Sequence, residues 1–221
     1  MHKVLDFIKK NKQFSFFLLL VILLALITIF APVIAPQDPY VSDLKNALQP
    51  PSSDHWFGTD KLGRDIFSRV IYASRSSLPA TLILVALIFV IGTLLGTLAG
   101  YFGGWIDAVI MRISDMMISF PGMVLAIAVA GIMGASVKNA VIAVAVVSWP
   151  KYARLARSLV MKIRHEDYIY AAIVTGSKTS YILRKYMLPN IIPTLIITAA
   201  TDIGGMMLEL CLLYTSDAAD D

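Results

Sequence analysis

Residues 78–99 read LPATLILVALIFVIGTLLGTLA, an uncharged run of mostly apolar side chains. About 20 residues in a helix, each rising about 1.5 Å, cross the roughly 30 Å hydrocarbon core of a bilayer. A helix satisfies its own backbone hydrogen bonds, as lipid requires. The run therefore predicts a transmembrane helix and places the chain among all-α membrane proteins.

Four further apolar runs predict additional membrane spans, so we expect about five transmembrane helices. The first is too long for the short apolar region of a cleaved signal peptide. In the run at residues 135–149, which is the fourth span in chain order, Lys138 has to extend toward the headgroups and Trp149 is expected at the opposite interface. The four runs are residues 14–35, 116–133, 135–149 and 191–210.

Composition excludes several classes of function. Hydrophobic residues make up 57% of the 221 residues and charged residues only 15%, against roughly 25% in soluble domains. The net charge of +4 is concentrated in particular loops, which is typical of membrane orientation and argues against nucleic-acid binding. The lone Cys211 excludes an internal disulfide, and no Cys and His spacing suggests a metal site.

The distribution of Lys and Arg predicts the orientation in the membrane. Basic residues cluster at 3–12 and again between 151 and 185, whereas those of residues 36–77 are balanced by aspartates. Because cytoplasmic loops are enriched in Lys and Arg, we expect a cytoplasmic N-terminus. The loop 36–77 then faces outward and the loop 150–190 faces the cytoplasm.

These spans divide the chain into four regions. Residues 1–35 form an N-terminal tail with the first transmembrane helix, and residues 36–77 form an outer loop with an interfacial helix. Residues 78–210 form the membrane core, which includes the loop 151–189. The last region, 211–221, reads CLLYTSDAADD and resembles a translated sequencing adapter. We therefore expect the natural chain to continue into a sixth span.

The outer loop contains the expected interfacial helix. Thr59 or Asp60 is expected to cap it, because its apolar residues from Ile66 onward recur on one face. The stretch GTDKLGRD, residues 58–65, is interpreted as a capped, salt-bridged elbow rather than as a solute-binding site.

Three glycines, Gly92, Gly96 and Gly100, recur every four residues in the second span. Small residues at this spacing lie on one face of a helix and allow another helix to approach closely. We interpret them as a helix-packing face. The neighbouring helix can belong to this chain or to a partner.

The cytoplasmic loop contains YIYAAIVTGSKTSYILRKYMLPN, residues 168–190. The pattern predicts a short helix, a turn at Gly176 with positive φ, and a second short helix that Ser177 or Thr179 caps and Pro189 ends. Its apolar content favours a protruding docking element. The alternative is a solvated basic loop that only sets topology.

Two ionisable residues in the fifth span require an explanation, because intramembrane charge is costly. Asp202 either lines a solute path or forms an interhelical hydrogen bond, and Glu209 is expected near the outer interface. Pro121 is expected to kink the third span beside the path. Asp115 is expected to pair with Arg112, three residues earlier.

The loop resembles the "EAA" loop of ABC importer permeases in Ala171-Ala172, Gly176 and Leu188-Pro189, although Tyr170 stands where that family has glutamate. The ordered segments HWFGTDKLGRDIFSR (55–69), GYFGGWIDAVIMRISDMMISFPG (100–122) and VSWPKYARLAR (147–157) are similar to the oligopeptide, dipeptide and nickel permeases. Together these matches cover most of residues 31–210.

The resemblance implies a type I ABC importer permease fold in a bacterial plasma membrane. It implies that two coupling helices dock on an ATPase subunit, and the residues assigned to that contact are Tyr170, Ala171, Ala172, Gly176, Ile182, Leu183, Leu188 and Pro189. The implied partners are a second permease, two ATP-binding subunits and an extracytoplasmic solute-binding protein. ATP and Mg are expected on the ATPases, since the chain has no GxxxxGK[ST] loop and is expected to bind no cofactor.

Two other classes remain open. A secondary transporter would be expected to show coupling-ion residues and internal repeats, and the hydropathy of the two halves does not repeat. A structural membrane subunit would explain the spans but not the paired short helices. Retention of ATPase subunits distinguishes the importer from both.

Overall fold

The computed structural model describes residues 11–134 and 136–217, with side chains described as far as residue 213. Its helices confirm the predicted all-α fold. The chain divides into two compact units, residues 1–78 and 79–221. The helices are α1 (Lys12–Ile34), α2 (Ile66–Phe102), α3 (Gly104–Ser119), α4 (Gly122–Met133), α5 (Val137–Ile163), α6 (Asp167–Val174), α7 (Thr179–Ile182) and α8 (Leu188–Asp217).

The number of predicted spans is not confirmed. Within the described residues, α1, α2 and the continuous stretch Thr179–Leu213 are long and apolar enough to cross a membrane. Helices α3 and α4, which are bent relative to each other, form a fourth candidate span if the two are counted together. The predicted fourth span lies in α5, whose second half is basic, and its first residue, Ala135, lies outside the described residues.

In the first unit, the elbow interpretation is confirmed but the predicted cap is wrong. Helix α2 begins at Ile66, and Asp65 caps it by accepting the Ser68 backbone N–H at 2.8 Å. Asp60 instead accepts the backbone N–H groups of Leu62 and Arg64 at 2.8 and 3.0 Å. A short carboxylate that bonds its own following backbone favours a turn over a helix start, which is why the helix begins later.

The carboxylate of Asp65 is the centre of this elbow. It is 1% exposed and accepts from His55 Nδ1 at 3.1 Å and from Ser68 Oγ at 2.7 Å. Burial alone would raise the pKa of Asp65, but the hydrogen bonds from Ser68 and His55 outweigh it and hold the pKa below its ordinary value. The backbone N–H of Gln37 donates to Ser68 Oγ at 3.2 Å, so the proline-rich segment is tied to the same cluster.

In the second unit, the glycine face of α2 packs against α5 of the same chain. A Cβ added at Gly92 would lie 2.8 Å from the Trp149 carbonyl, and one added at Gly100 would lie 2.9 Å from Val160 Cβ. Trp149 is 8% exposed and lies in the middle of α5, so it packs in the core instead of marking the end of a span. The structure thus assigns the neighbouring helix that the sequence left open.

The predicted third span is broken at Pro121. Helices α3 and α4 meet at 94°, far more than a kink. Phe120 is extended, with φ −95° and ψ 147°, because the ring of a following proline disfavours helical backbone. Helix α3 begins at Gly104, twelve residues before the predicted start of the span at residue 116.

The predicted stop at Pro189 is also wrong. After α7, residues Leu183–Met187 form a π-helical turn and α8 follows at once. Pro189 lies at the second residue of α8. Pro189 therefore lies inside a continuous helical stretch, directly after a π-helical turn, where the hydrogen-bond register changes next to a residue that lacks an N–H. Helix α8 continues through Asp217, and residues 218–221 of the predicted artefact lie outside the described part of the chain.

Candidate functional site

The turn between α6 and α7 ends helix α6 in a well-defined way. Gly176 has φ +78°, which confirms the prediction of a left-handed residue. Its N–H donates to the Ile173 carbonyl at 3.0 Å, and the Ser177 N–H donates to the Ala172 carbonyl at 3.0 Å. This is the Schellman arrangement, which satisfies carbonyls at a helix end. The turn is therefore determined locally, and it sets the directions of the two short helices.

The residues predicted to dock on an ATPase divide into three groups by exposure. Ala172 and Ile182 are buried, at 6% and 1% exposure, so they hold the two helices onto the core. Leu183 and Leu188 are half-buried. The exposed members are Tyr170, Ala171, Gly176 and Pro189. This exposed group is the most accessible to another protein.

Sequence reasoning missed the most exposed apolar residues of the segment. Ile173 is 49% exposed and Val174 is 86% exposed at the tip of α6. Tyr181 is 44% exposed on α7, and the ammonium of Lys185 lies 5.2 Å from the centre of its ring. The apolar run up to Thr175 could have indicated these positions, because a helix this short cannot bury every side.

Tyr170, which replaces the family's glutamate, contacts its own chain. Its hydroxyl lies 2.9 Å from Nδ1 of His165, which precedes α6. The ring itself is 49% exposed. The hydroxyl thus helps to orient α6 relative to the end of α5, while the ring face remains on the surface.

Three basic residues of α5 anchor neighbouring helices. Arg157 holds Asp107 of α3 with two nitrogens, Nε and Nη2. Arg154 Nη2 contacts Asp115 of α3 at 2.5 Å, so the expected pairing of Asp115 with Arg112 is wrong. The reason is that α3 packs against α5, and a spacing of three residues in α5 presents both arginines to the same neighbour.

The third basic residue, Lys151, contacts Asp202 of α8. Its Nζ lies 2.7 Å from both carboxylate oxygens, and the Tyr152 hydroxyl donates to the same carboxylate at 3.0 Å. Asp202 therefore forms the interhelical hydrogen bond that was one of its two interpretations. A part in the solute path stays a prediction for Asp202 and for Pro121, which precedes α4.

Two cavities lie along this charged face of α5. The larger, of about 500 Å³, has Lys151, Arg154 and Glu209 in its wall together with apolar side chains. The smaller, of about 200 Å³, has Glu209 and two methionines, Met117 and Met123, in its wall. No cluster of His, Cys, Asp and Glu suited to a metal is found among the described residues.

Two known families match the sequence. The family described as binding-protein-dependent transport system inner membrane component matches residues 92–216, which is more than half of the chain. The N-terminal transmembrane domain of oligopeptide transport permease C matches residues 2–51. The first match includes α5, the turn at Gly176 and most of α8.

Curated relatives are similar over most of the chain. The dipeptide transport system permease protein DppC of Alkalihalophilus pseudofirmus is 42% identical over 93% of this chain and 68% of the relative. The probable D,D-dipeptide transport system permease protein DdpC of Escherichia coli K12 is 44% identical over 88% and 65%. The nickel transport system permease protein NikC of Escherichia coli K12 is 37% identical over 87% and 70%.

The chain thus spans about two thirds of the length of these relatives, and the similarity includes the packed α2–α5 core and the α6–α7 turn. The chain therefore belongs to the binding-protein-dependent transport system inner membrane components, among the oligopeptide, dipeptide and nickel permeases of ABC importers.

Proposed function

We propose that this chain is a permease subunit that moves peptides or similar small solutes into the cytoplasm by alternating access, driven by separate ATPase subunits. The observation that carries the proposal is the α6–α7 segment, whose turn is rigidly capped and whose apolar tip is exposed. Ile173 and Val174 are uncovered while Ala172 and Ile182 anchor the segment to the core. Such a segment can transmit a movement of the ATPase subunits to the membrane helices, because its base is packed on the core and its tip is exposed.

In the assembly that we propose, a second permease completes the pore. Two ATP-binding subunits contact the α6–α7 segments from the cytoplasm, and an extracytoplasmic solute-binding protein delivers the solute. The N-terminus is then cytoplasmic. The solute is a dipeptide, an oligopeptide, glutathione or nickel, which are the cargoes named for similar permeases.

The chain itself is proposed to have no catalytic activity and to bind no cofactor. The sequence has no phosphate-binding loop of the GxxxxGK[ST] type, so ATP and Mg belong to the partner subunits. The purified chain is expected to show neither tight ATP binding nor hydrolysis. Tight nucleotide binding by the chain alone would contradict this part of the proposal.

The experiment that tests the proposed function is co-purification. The tagged chain is expressed with its partner subunits, and the proteins that it retains in mild detergent are identified. Retention of two ATPase subunits and ATP-dependent uptake by the reconstituted complex are expected. Uptake driven by an ion gradient in the absence of ATPases would favour a secondary transporter. Retention of no ATPases together with no uptake would favour a structural subunit.

A further inference from the structure

The larger cavity beside α5 combines opposite charges with an apolar wall. Its volume is about 500 Å³, and its wall includes Ile118 of α3, Val147, Lys151 and Arg154 of α5, and Met206 and Glu209 of α8. We propose that this cavity binds the charged backbone ends of a small zwitterionic solute, with Glu209 receiving the ammonium group and Lys151 and Arg154 receiving the carboxylate. This inference rests on the proposed function, because it names the class of solute that the permease accepts.

Glu209 is the negative end of the cavity. It is exposed within this chain and forms no ion pair with the residues described, 11–134 and 136–217. The two other acidic groups nearby already form ion pairs, Asp202 with Lys151 and Asp115 with Arg154. An ionised group in a membrane-spanning helix is costly unless it meets a partner of opposite charge or a watery cavity. An ammonium group of a solute provides such a partner.

The positive end retains donors for a carboxylate. Lys151 Nζ has three N–H groups, and the two contacts to Asp202 at 2.7 Å occupy two of them. Arg154 has five N–H groups, of which Nε contacts Ser114 and one on Nη2 contacts Asp115. A carboxylate can therefore be bound without breaking either ion pair.

The spacing of the two ends suits a short peptide. Glu209 lies seven residues after Asp202, which is about 10 Å along α8 from the position of the Lys151–Asp202 pair. An extended dipeptide spans about 7 Å at about 3.5 Å per residue. The long side chains of Glu209 and Lys151 can cover the remaining distance.

The smaller cavity offers room for a side chain of the solute. It adjoins the larger one, because Ile118, Val147, Ser148 and Glu209 line both. Its volume is about 200 Å³, and Met117 and Met123 form part of its wall. Methionine is flexible and polarisable, so such a wall adapts to side chains of different shape. The cavity would therefore require both charged ends of the solute and would accept side chains of different shape.

The test measures protection of a cysteine in the cavity. Cys211 is replaced by serine, Ser148→Cys is introduced where both cavities meet, and the chain is assembled with its partner permease and ATPases. Dialanine is expected to slow thiol modification of the cysteine at position 148, whereas N-acetyl-dialanine amide, which lacks both charges, is not. Ser158→Cys is the matched control, because this exposed position on α5 does not line the cavity.

Glu209→Gln tests whether the charge of Glu209 binds the solute, because Glu209 has no described ion pair whose loss would disturb folding. Losing a charged hydrogen bond of about 1.5–3 kcal/mol is expected to raise the dialanine concentration for half-protection by about tenfold or more. Equal protection by the blocked peptide, no protection by dialanine, or unchanged protection in Glu209→Gln would each overturn the inference. Burial of position 148 by the second permease, seen as loss of labelling on assembly, would overturn it as well.

These outcomes are separate from the proposed function. A complex that retains its ATPases and takes up solute, but shows no charge-dependent protection, overturns the inference alone. Charge-dependent protection by dialanine in a preparation that fails to retain the ATPases overturns the importer function alone.

Discussion

At the residue scale, Gly96 shows how closely α2 and α5 approach each other. A Cβ at this position would meet the Ala153 backbone and would lie 2.8 Å from Ala156 Cβ. Backbone atoms cannot move aside as a flexible side chain can, so the two helices would have to separate. Lipid supplies no hydrophobic drive between helices, and their association depends on such close packing.

We predict that Gly96→Val destabilises the chain in detergent by at least the cost of overpacking, about 1–3 kcal/mol. Thermal unfolding followed by circular dichroism measures the loss. Gly131→Ala is the matched control, because a Cβ there meets no atom within 4 Å and alanine favours the helix by up to about 1 kcal/mol. An equal effect of both substitutions would contradict the packing assignment.

A second residue-scale prediction concerns Asp65 and acid. Because the pKa of this carboxyl is lowered in the folded loop, its contribution to stability is present above the unfolded value of about 3.9 and is lost as the pH falls through the folded value. We therefore expect the segment 36–65 to become sensitive to an acid-active protease below about pH 4.

The comparison with Asp65→Asn isolates this carboxylate. The variant is expected to be cleaved faster than the wild type by a second protease that is active at neutral pH, and to show a weaker change on acidification with the acid-active protease. Asp60 still contributes in the variant, since its pKa is also lowered when hydrogen bonds from Arg64 and Leu62 outweigh the effect of burial. Asp54→Asn, at an exposed position, is expected to behave as the wild type. A pH profile identical in Asp65→Asn and wild type would refute the assignment.

At the element scale, the α6–α7 segment depends on one backbone conformation. A Cβ at Gly176 would meet no atom within 4 Å, so space does not limit substitution there. The limit is φ +78°, which asparagine tolerates and a β-branched residue does not. We predict that Gly176→Val abolishes retention of the ATPase subunits and that Gly176→Asn largely preserves it.

Co-purification from the same membranes measures both variants, with the amount of folded chain as the reference. A Gly176→Val chain that is normally folded and retains its ATPases would show that the turn is not needed for docking. Equal loss in both variants would indicate that glycine is required for close contact with a partner, and not for its backbone conformation.

A second prediction at this scale concerns the pairing of α3 with α5. Arg157 contacts Asp107 with two nitrogens, and both side chains are half-buried. Arg157→Asp alone is expected to destabilise the chain by about 1.5–3 kcal/mol, the range for hydrogen bonds to charged groups. Adding Asp107→Arg should restore part of the loss. Additive losses in the thermal unfolding of the double variant would rule out a direct pair.

At the scale of the whole molecule, the positive-inside rule predicts opposite sides of the membrane for the two long connections. In a Cys211→Ser background, Ser52→Cys is expected to react with an impermeant thiol reagent in intact cells, and Ser180→Cys only after permeabilisation. Both serines are exposed, so burial does not confound the comparison. Labelling at position 180 in intact cells would reverse the orientation and exclude ATPase docking at the α6–α7 segment.

Much of this protein follows from sequence patterns that act over a few residues. Uncharged runs predict α1 and α2, because lipid demands apolar side chains at every turn of a helix. The glycine repeat predicts a packing face, and Gly176 predicts a turn with positive φ. Each of these depends on local geometry or on solvent, so no knowledge of distant residues is required.

Other features were decided by contacts between distant residues. Asp115 pairs with Arg154 of α5 instead of Arg112 because α3 packs against α5. Trp149 is buried because α5 continues well past it to Ile163, and Glu209 reaches the cavity because α8 passes the charged face of α5. An ion pair or a cavity wall depends on which helices become neighbours, and periodicity within one helix does not contain that information. The sequence by itself therefore determined the membrane class, the family and the turn at Gly176, whereas only the tertiary structure assigned partners to Asp107, Asp115 and Asp202.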